Sequence, residues 1–180
     1  MIKQLILILF IILITLINCR INKETFINKK PLGLFSHRLY NNGKLFNRYT
    51  CDGKMSGDLG DISPGFYWRN IPTGKFSLAL IMEDTTNKNN KITHWIVCNI
   101  MSNSELEEND RSKILALNDF NFQGYTAPCK EENIKEFTFT LYALDILTLP
   151  DFNPKITKKT EFINKIKPHI LETAQMVVYL

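Results

Sequence analysis

Hydrophobic positions fall into three regimes along the chain. The first is Leu5 to Ile17, apolar throughout except for Thr15. It is shorter than the ~20 apolar residues that carry a helix across a bilayer, and it follows Met1-Ile2-Lys3 with one positive charge. The pattern fits the hydrophobic region of a signal peptide. The second regime is alternation. Phe76 to Asp84 reads as a strand with Phe76, Leu78, Leu80, Met82 and Asp84 on one face. Thr93 to Ile100 is another, with His94, Ile96 and Cys98 on one face and Trp95 and Val97 on the other. Phe137 to Leu144 groups Phe137, Phe139 and Leu141, and Gln175 to Leu180 is a further strand. The third regime is helical: Phe162, Ile163, Ile166 and Ile170 recur within Thr160 to Thr173, and Pro168 predicts a short or bent helix.

The connecting segments are polar. Asn41-Asn42-Gly43 is a turn signal between strand-like runs Leu34 to Tyr40 and Leu45 to Tyr49. Cys51 to Pro64 is a long Gly/Asp/Ser-rich loop, and Ser104 to Leu117 is irregular or weakly helical. Several strands with long loops and one late helix predict an all-β domain with a minor helix, of the β-sandwich kind.

Composition narrows the class. At 180 residues the chain holds one domain, and 44% apolar with 22% charged residues is the profile of a globular core. Twenty-two Lys and Arg against 18 Asp and Glu give a mild positive balance, scattered without the basic-aromatic stripe of a nucleic-acid binder. No internal repeat interrupts the reading. Three segments follow: a signal peptide over 1–19, a polar tether over 20–33 and a domain over 34–180. The signal ends Leu16-Ile17-Asn18-Cys19, which looks like a bacterial lipoprotein signal with Cys19 as the lipidated residue. A simple secretory peptide and an uncleaved anchor are the alternatives. A lipid would tether the protein to a membrane face without spanning it.

Export permits a disulfide among Cys51, Cys98 and Cys129. Cys98 sits in an apolar strand and reads as a buried thiol. Cys51 and Cys129 lie in loops, and their pairing is the preferred arrangement, although sequence does not fix connectivity. No Cys/His spacing suggests zinc or another metal, and no cofactor motif is present.

The informative chemistry is Asp84 and His94, each at the end of an apolar strand beside a loop. An Asp accepting from one ring nitrogen would orient the imidazole and favour its charged form, leaving the other nitrogen to donate to an anion. Gly124-Tyr125-Thr126-Ala127-Pro128-Cys129 would complete the site, since such turns approach ligands closely and offer backbone N–H groups. Tyr125 either lines the pocket or packs beneath the loop. The blander reading is a structural histidine and an ordinary turn. His37 and His169 read as surface or structural.

These residues also carry a resemblance. Asn42-Gly43 with Tyr49-Thr50-Cys51-Asp52-Gly53, Ile62-Ser63-Pro64 with Trp68, Ser77 to Asp84, His94 to Ile100, Gly124 to Cys129 and Phe137 to Asp145 occur in the order of a known family. The chain is similar to the phosphatidylethanolamine-binding proteins, in their bacterial, Raf-kinase-inhibitor-like branch. The resemblance covers about Leu34 to Leu180 and implies a two-sheet Greek-key sandwich with a small pocket for phosphoryl head groups. Asp84, His94, Ala127 and Pro128 fall on its pocket positions. There are departures. The family's Asp-Pro-Asp-Ala-Pro is Asp84-Thr85-Thr86-Asn87 here, its Pro-Pro after the Cys is Lys130-Glu131, and its His-Arg-Tyr is Lys135-Glu136-Phe137. Lys135 then supplies a cation in place of the second histidine, with Phe137 beside it. Lys54 to Gly60 is an insertion.

The expectation is a non-enzymatic module without cofactors, binding an anionic small molecule or phospholipid head group through Asp84, His94, Tyr125, Ala127, Pro128, Lys135 and Phe137. A protein-interaction or inhibitor module using loops 54–60 and 87–91 over a vestigial pocket is the alternative. A Cys129–His94–Asp84 thiol hydrolase is a third reading, which a Cys51–Cys129 disulfide would exclude.

Overall fold

The computed structural model describes residues 10–18, 30–53, 61–74, 77–101 and 105–180. The chain divides into two compact units, Met1–Pro31 and Leu32–Leu180. In the first, residues 10–18 form helix α1, with Phe10, Leu13 and Leu16 exposed. No helix among the described residues is long and apolar enough to cross a membrane. The expected lipidation residue, Cys19, most of the 20–33 tether and Phe76 lie outside the described residues.

The second unit is mostly β. Its strands are β1 (Gly33–Phe35), β2 (Gly43–Lys44), β3 (Tyr67–Arg69), β4 (Ser77–Asp84), β5 (Ile92–Met101), β6 (Ile114–Leu115), β7 (Glu136–Leu144) and β8 (Ile170–Tyr179). Helix α2 spans Lys159–Ile166. A six-stranded sheet runs in the order β2-β8-β7-β4-β5-β6, antiparallel except for the β2–β8 pair. The second sheet is only β1 with β3. The layers are therefore more unequal than the expected sandwich. Loop residues Leu39, Leu45, Tyr49 and Phe66 supply much of the cover over the large sheet.

Every residue of β4 is buried, because the large sheet is covered on both faces. Leu78, Leu80 and Met82 join Trp95, Val97, Phe137, Phe139 and Leu141 under the small sheet and loops. Ala79, Ile81, Ile96 and Cys98 lie on the other side, against Phe162 and Ile166 of α2. Those two helix residues are four apart, so they share one face.

Two expected elements differ. The Asn41-Asn42-Gly43 turn forms, with Gly43 N–H donating to the Tyr40 carbonyl (2.9 Å) and Asn42 at φ 59°. Its flanks do not pair as a hairpin. Asn42 N–H and Leu45 N–H instead donate to the carbonyls of Val177 and Tyr179, and residues 47–49 coil into a 3-10 turn. The expected helix over Thr160 to Thr173 stops at Ile166. Lys167–His169 is a 3-10 turn containing Pro168, and Ile170 already belongs to β8. Proline has no N–H to continue the helix, and the β7 edge offers Ile170 a partner in Leu144.

Candidate functional site

The site begins with a bulge. Met82 pairs with Trp95, but Glu83 pairs with Thr93, so His94 is an extra residue in β5. A bulge of this kind re-aims the side chain it carries. Alternation had placed His94 with Ile96 and Cys98. Instead its ring stands edge-on to Phe137 at 5.4 Å and tilts against Phe120 at 5.0 Å. Phe137 lies opposite Asp84 in the β4–β7 pair. One end of the large sheet thus collects Asp84, His94 and Phe137, with Lys135 two residues before Phe137.

The hydrogen bonds assign roles that sequence did not. His94 Nδ1 lies 2.8 Å from the Thr126 carbonyl oxygen. A carbonyl only accepts, so Nδ1 carries the hydrogen and Nε2 of the neutral ring is an acceptor. Nε2 has no hydrogen-bond partner among the described residues, and it is not sealed from solvent. Burial holds the His94 pKa below its ordinary 6.5, outweighing the Thr126 bond and the nearby Asp84 and Asp119 charges that pull it up; Lys135 pushes it further down. The expected charged imidazole held by Asp84 is therefore corrected. Asp84 Oδ1 accepts the Thr86 N–H (2.9 Å), and its Oδ2 lies 3.7 Å from Lys135 Nζ. Lys135 Nζ also donates to Glu131 Oε1 at 2.6 Å.

Thr85 and Thr86 knit this end together where the family motif differs. Thr85 N–H donates to the Glu136 carbonyl, and Thr86 Oγ1 accepts the Glu136 N–H, each at 2.8 Å. Thr85 Oγ1 also bonds the Glu136 carboxylate and lies 2.9 Å from Thr138 Oγ1.

The loop opposite is organised by Asn118, which is buried. Its Nδ2 donates to the His94 carbonyl (3.0 Å), the Gly124 carbonyl (3.2 Å) and Thr126 Oγ1 (2.7 Å). Its Oδ1 accepts from Phe120 N–H and Phe122 N–H. Asp119 Oδ2 accepts the Thr93 N–H at 2.6 Å, which holds the loop along the bulged strand. Asn118, Phe120 and Glu131 are not among the site residues read from the sequence, and Thr126 enters there only as part of the 124–129 loop. The Asn118-Asp119-Phe120-Asn121 run is a turn signal that pointed to the first two.

Loop 124–129 is less open than expected. Thr126 N–H donates to the His94 carbonyl and Ala127 N–H to Asp61 Oδ2 (2.7 Å), so neither is presented to a ligand. Tyr125 is buried beneath the loop, its hydroxyl donating to the Tyr49 carbonyl (2.6 Å) and its ring edge-on to Trp95. Ala127 and Pro128 are buried as well. A disulfide joins Cys51 to Cys129, with Cα atoms 5.1 Å apart, and Cys51 N–H donates to the Pro128 carbonyl. Cys129 therefore offers no thiol for the hydrolase reading, and Asp84 does not orient His94 for it. Cys98 is free and buried, its thiol pushed up to about 12 by burial.

Behind the same loop a cavity of about 230 Å³ is lined by Trp95, Leu115, Phe122, Tyr125, Asp61 and Asp110 among others. It does not touch His94. Among the described residues no group of three or more His, Cys, Asp or Glu is placed to hold a metal ion. His37 stacks on Tyr67 at 4.7 Å, and His169 Nδ1 bonds Asp145 Oδ1 at 2.8 Å. Of the two contact loops, 54–60 lies outside the described residues, and 87–91 is exposed.

The fold agrees with the comparisons to known proteins. Residues 36–180 match the phosphatidylethanolamine-binding protein family. A UPF0098 protein of Methanothermobacter thermautotrophicus is 32% identical over 154 residues, 81% of this chain and 96% of that protein. A UPF0098 protein of Archaeoglobus fulgidus is 33% identical over 144 residues, which span 76% of this chain and 46% of that longer protein. A crystal structure of a phosphatidylethanolamine-binding protein homologue from Chlamydia trachomatis superposes with a TM-score of 0.71 at 26% identity, covering 83% of this chain and 97% of that one. Escherichia coli YbcL, at 17% identity and a TM-score of 0.68 over 83% of this chain and 98% of that one, shares the fold. The chain belongs to the phosphatidylethanolamine-binding protein family, in the bacterial and archaeal branch that the UPF0098 proteins represent.

Proposed function

We propose that this protein is a non-enzymatic binding module that takes small anionic ligands of the phosphoryl head-group type at the end of the large sheet. The observation that carries the reading is the placement of His94: fixed by Thr126, walled by Phe120 and Phe137, its Nε2 without a hydrogen-bond partner among the described residues and the Lys135 ammonium close enough to act on its charge. A hydrogen phosphate would donate its P–OH to Nε2 and present its charged oxygens to Lys135. Asp84 holds Lys135 at the site and closes the turn through Thr86. Ala127, Pro128 and Tyr125 shape the supporting loop and are not the donors.

Export with a lipid on Cys19 is part of the same proposal. It rests on the Leu5–Ile17 run and the Leu16-Ile17-Asn18-Cys19 ending, and a lipid would bring the site to a membrane face. The test is a titration with phosphate, phosphoethanolamine and a short-chain phospholipid, followed by the His94 imidazole resonances, with His94→Ala as control. Saturable shifts of the His94 resonances, with ligand affinity by calorimetry lost in the variant, support the reading. Silence at millimolar ligand rejects it and favours a protein partner at the exposed 87–91 loop.

A further inference from the structure

We infer that Glu131 is a built-in competitor for the anion site: its carboxylate pairs with Lys135 and sets which anions can enter. The inference rests on the binding reading above and adds the element that regulates it.

Lys135 is held by two carboxylates of different character. Asp84 is 9% exposed in its side chain and lies 3.7 Å away through Oδ2. It is fixed by the turn, since its other oxygen accepts the Thr86 N–H. Glu131 is 63% exposed and lies closer, its Oε1 2.6 Å from Nζ, four residues before Lys135. Lys135 itself is 20% exposed. The ammonium therefore has a buried, permanent counter-charge and an outer, removable one. Asp84 is anchored through its other oxygen by the Thr86 N–H and is buried, so it stays beside Lys135 when an anion arrives. The anion can displace Glu131, whose side chain is free to swing into water.

The chemistry follows from that exchange. Glu131 is itself an oxyanion, so Lys135 already holds the kind of group the site would take. A ligand must outcompete a tethered carboxylate, which monoanions do poorly and dianions do better. Asp119 and Asp84 also face His94, so each further negative charge near the site raises the threshold. An exposed ion pair is weak, corresponding to a factor of up to about five in an equilibrium. Removing the Glu131 charge also removes its repulsion of the ligand. The combined effect is about three- to tenfold, and salt screens it because the pair is exposed.

The experiment uses the full chain and inorganic phosphate, with acetate as the monoanion, by calorimetry at low and high salt. Glu131→Gln keeps shape and removes charge at an exposed position. It is expected to bind phosphate about three- to tenfold more tightly than the wild type at low salt, to admit acetate measurably, and to lose most of this advantage at 1 M salt, where the screening length is about 3 Å. Lys135→Met, added to the wild type and to the Glu131→Gln variant alike, is expected to abolish the difference between them. If the wild type binds phosphate and Glu131→Gln binds it equally, the competitor role is overturned and the anion site stands. If neither binds phosphate while both remain folded, the anion site falls and the competitor role falls with it.

Discussion

The Thr126 carbonyl oxygen sits 2.8 Å from His94 Nδ1, while Thr126 N–H donates back to the His94 carbonyl. The two residues, 32 apart in sequence, are bound through both backbone and ring. This contact, and not a carboxylate, sets the imidazole tautomer.

A pH dependence follows from it. Burial holds the folded-state His94 pKa below the unfolded value of about 6.5, so the unfolded chain takes up the proton first. The contribution of neutral His94 to stability is full above about pH 6.5 and is lost as pH falls from there through the lowered folded pKa. Denaturant unfolding between pH 7 and 5 should show this decline, and His94→Gln should flatten it. An equally steep decline in the variant would assign the effect to other groups.

Ligand binding should carry the opposite slope. Sulfate has no proton to give Nε2, so it needs His94 charged. Its affinity should rise as pH falls toward the lowered folded-state pKa of His94, by at most about tenfold per unit for one linked proton. Calorimetry of wild type against His94→Gln checks this, and a pH-independent sulfate affinity would remove His94 from the contact.

Asn118 should be costly to change. Asn118→Ala leaves the buried Gly124 carbonyl and the part-buried N–H groups of Phe120 and Phe122 without their partner, and the His94 carbonyl with only the Thr126 N–H. A loss of about 2–4 kcal/mol is expected from several such groups at about 1 kcal/mol or more each. Chemical denaturation measures it. A loss under about 0.5 kcal/mol would mean that the loop is held elsewhere.

Two covalent tests concern the cysteines. Reducing Cys51–Cys129, which spans 78 residues, should lower stability by about 2–4 kcal/mol without unfolding the sheet core. Cys98 should resist thiol alkylation in the folded protein, because it is buried with its thiol pushed up to about 12, and should react once the chain is unfolded. Peptide mapping reads both sites.

Features that depend on local periodicity and on short motifs were legible along the chain. Leu78, Leu80 and Met82 alternate, and so do Phe137, Phe139 and Leu141, and both sets face one core. Phe162 and Ile166 recur at helical spacing, and they pack as one helix face. The ordered motifs from Asn42 to Asp145 carried the family. Tertiary structure decided everything that depends on which segment meets which. The flanks of the Asn41-Asn42-Gly43 turn could satisfy their backbone groups on each other or elsewhere, and the β8 edge took them. The face of His94 was set by a one-residue slip against β4, which no alternation within β5 can reveal. Asp84 had His94 and Lys135 within reach of the same sheet end, and the partner it took was fixed by a segment far along the chain. Hydrogen bonds and charges choose among partners by distance in space, and only the folded chain sets those distances.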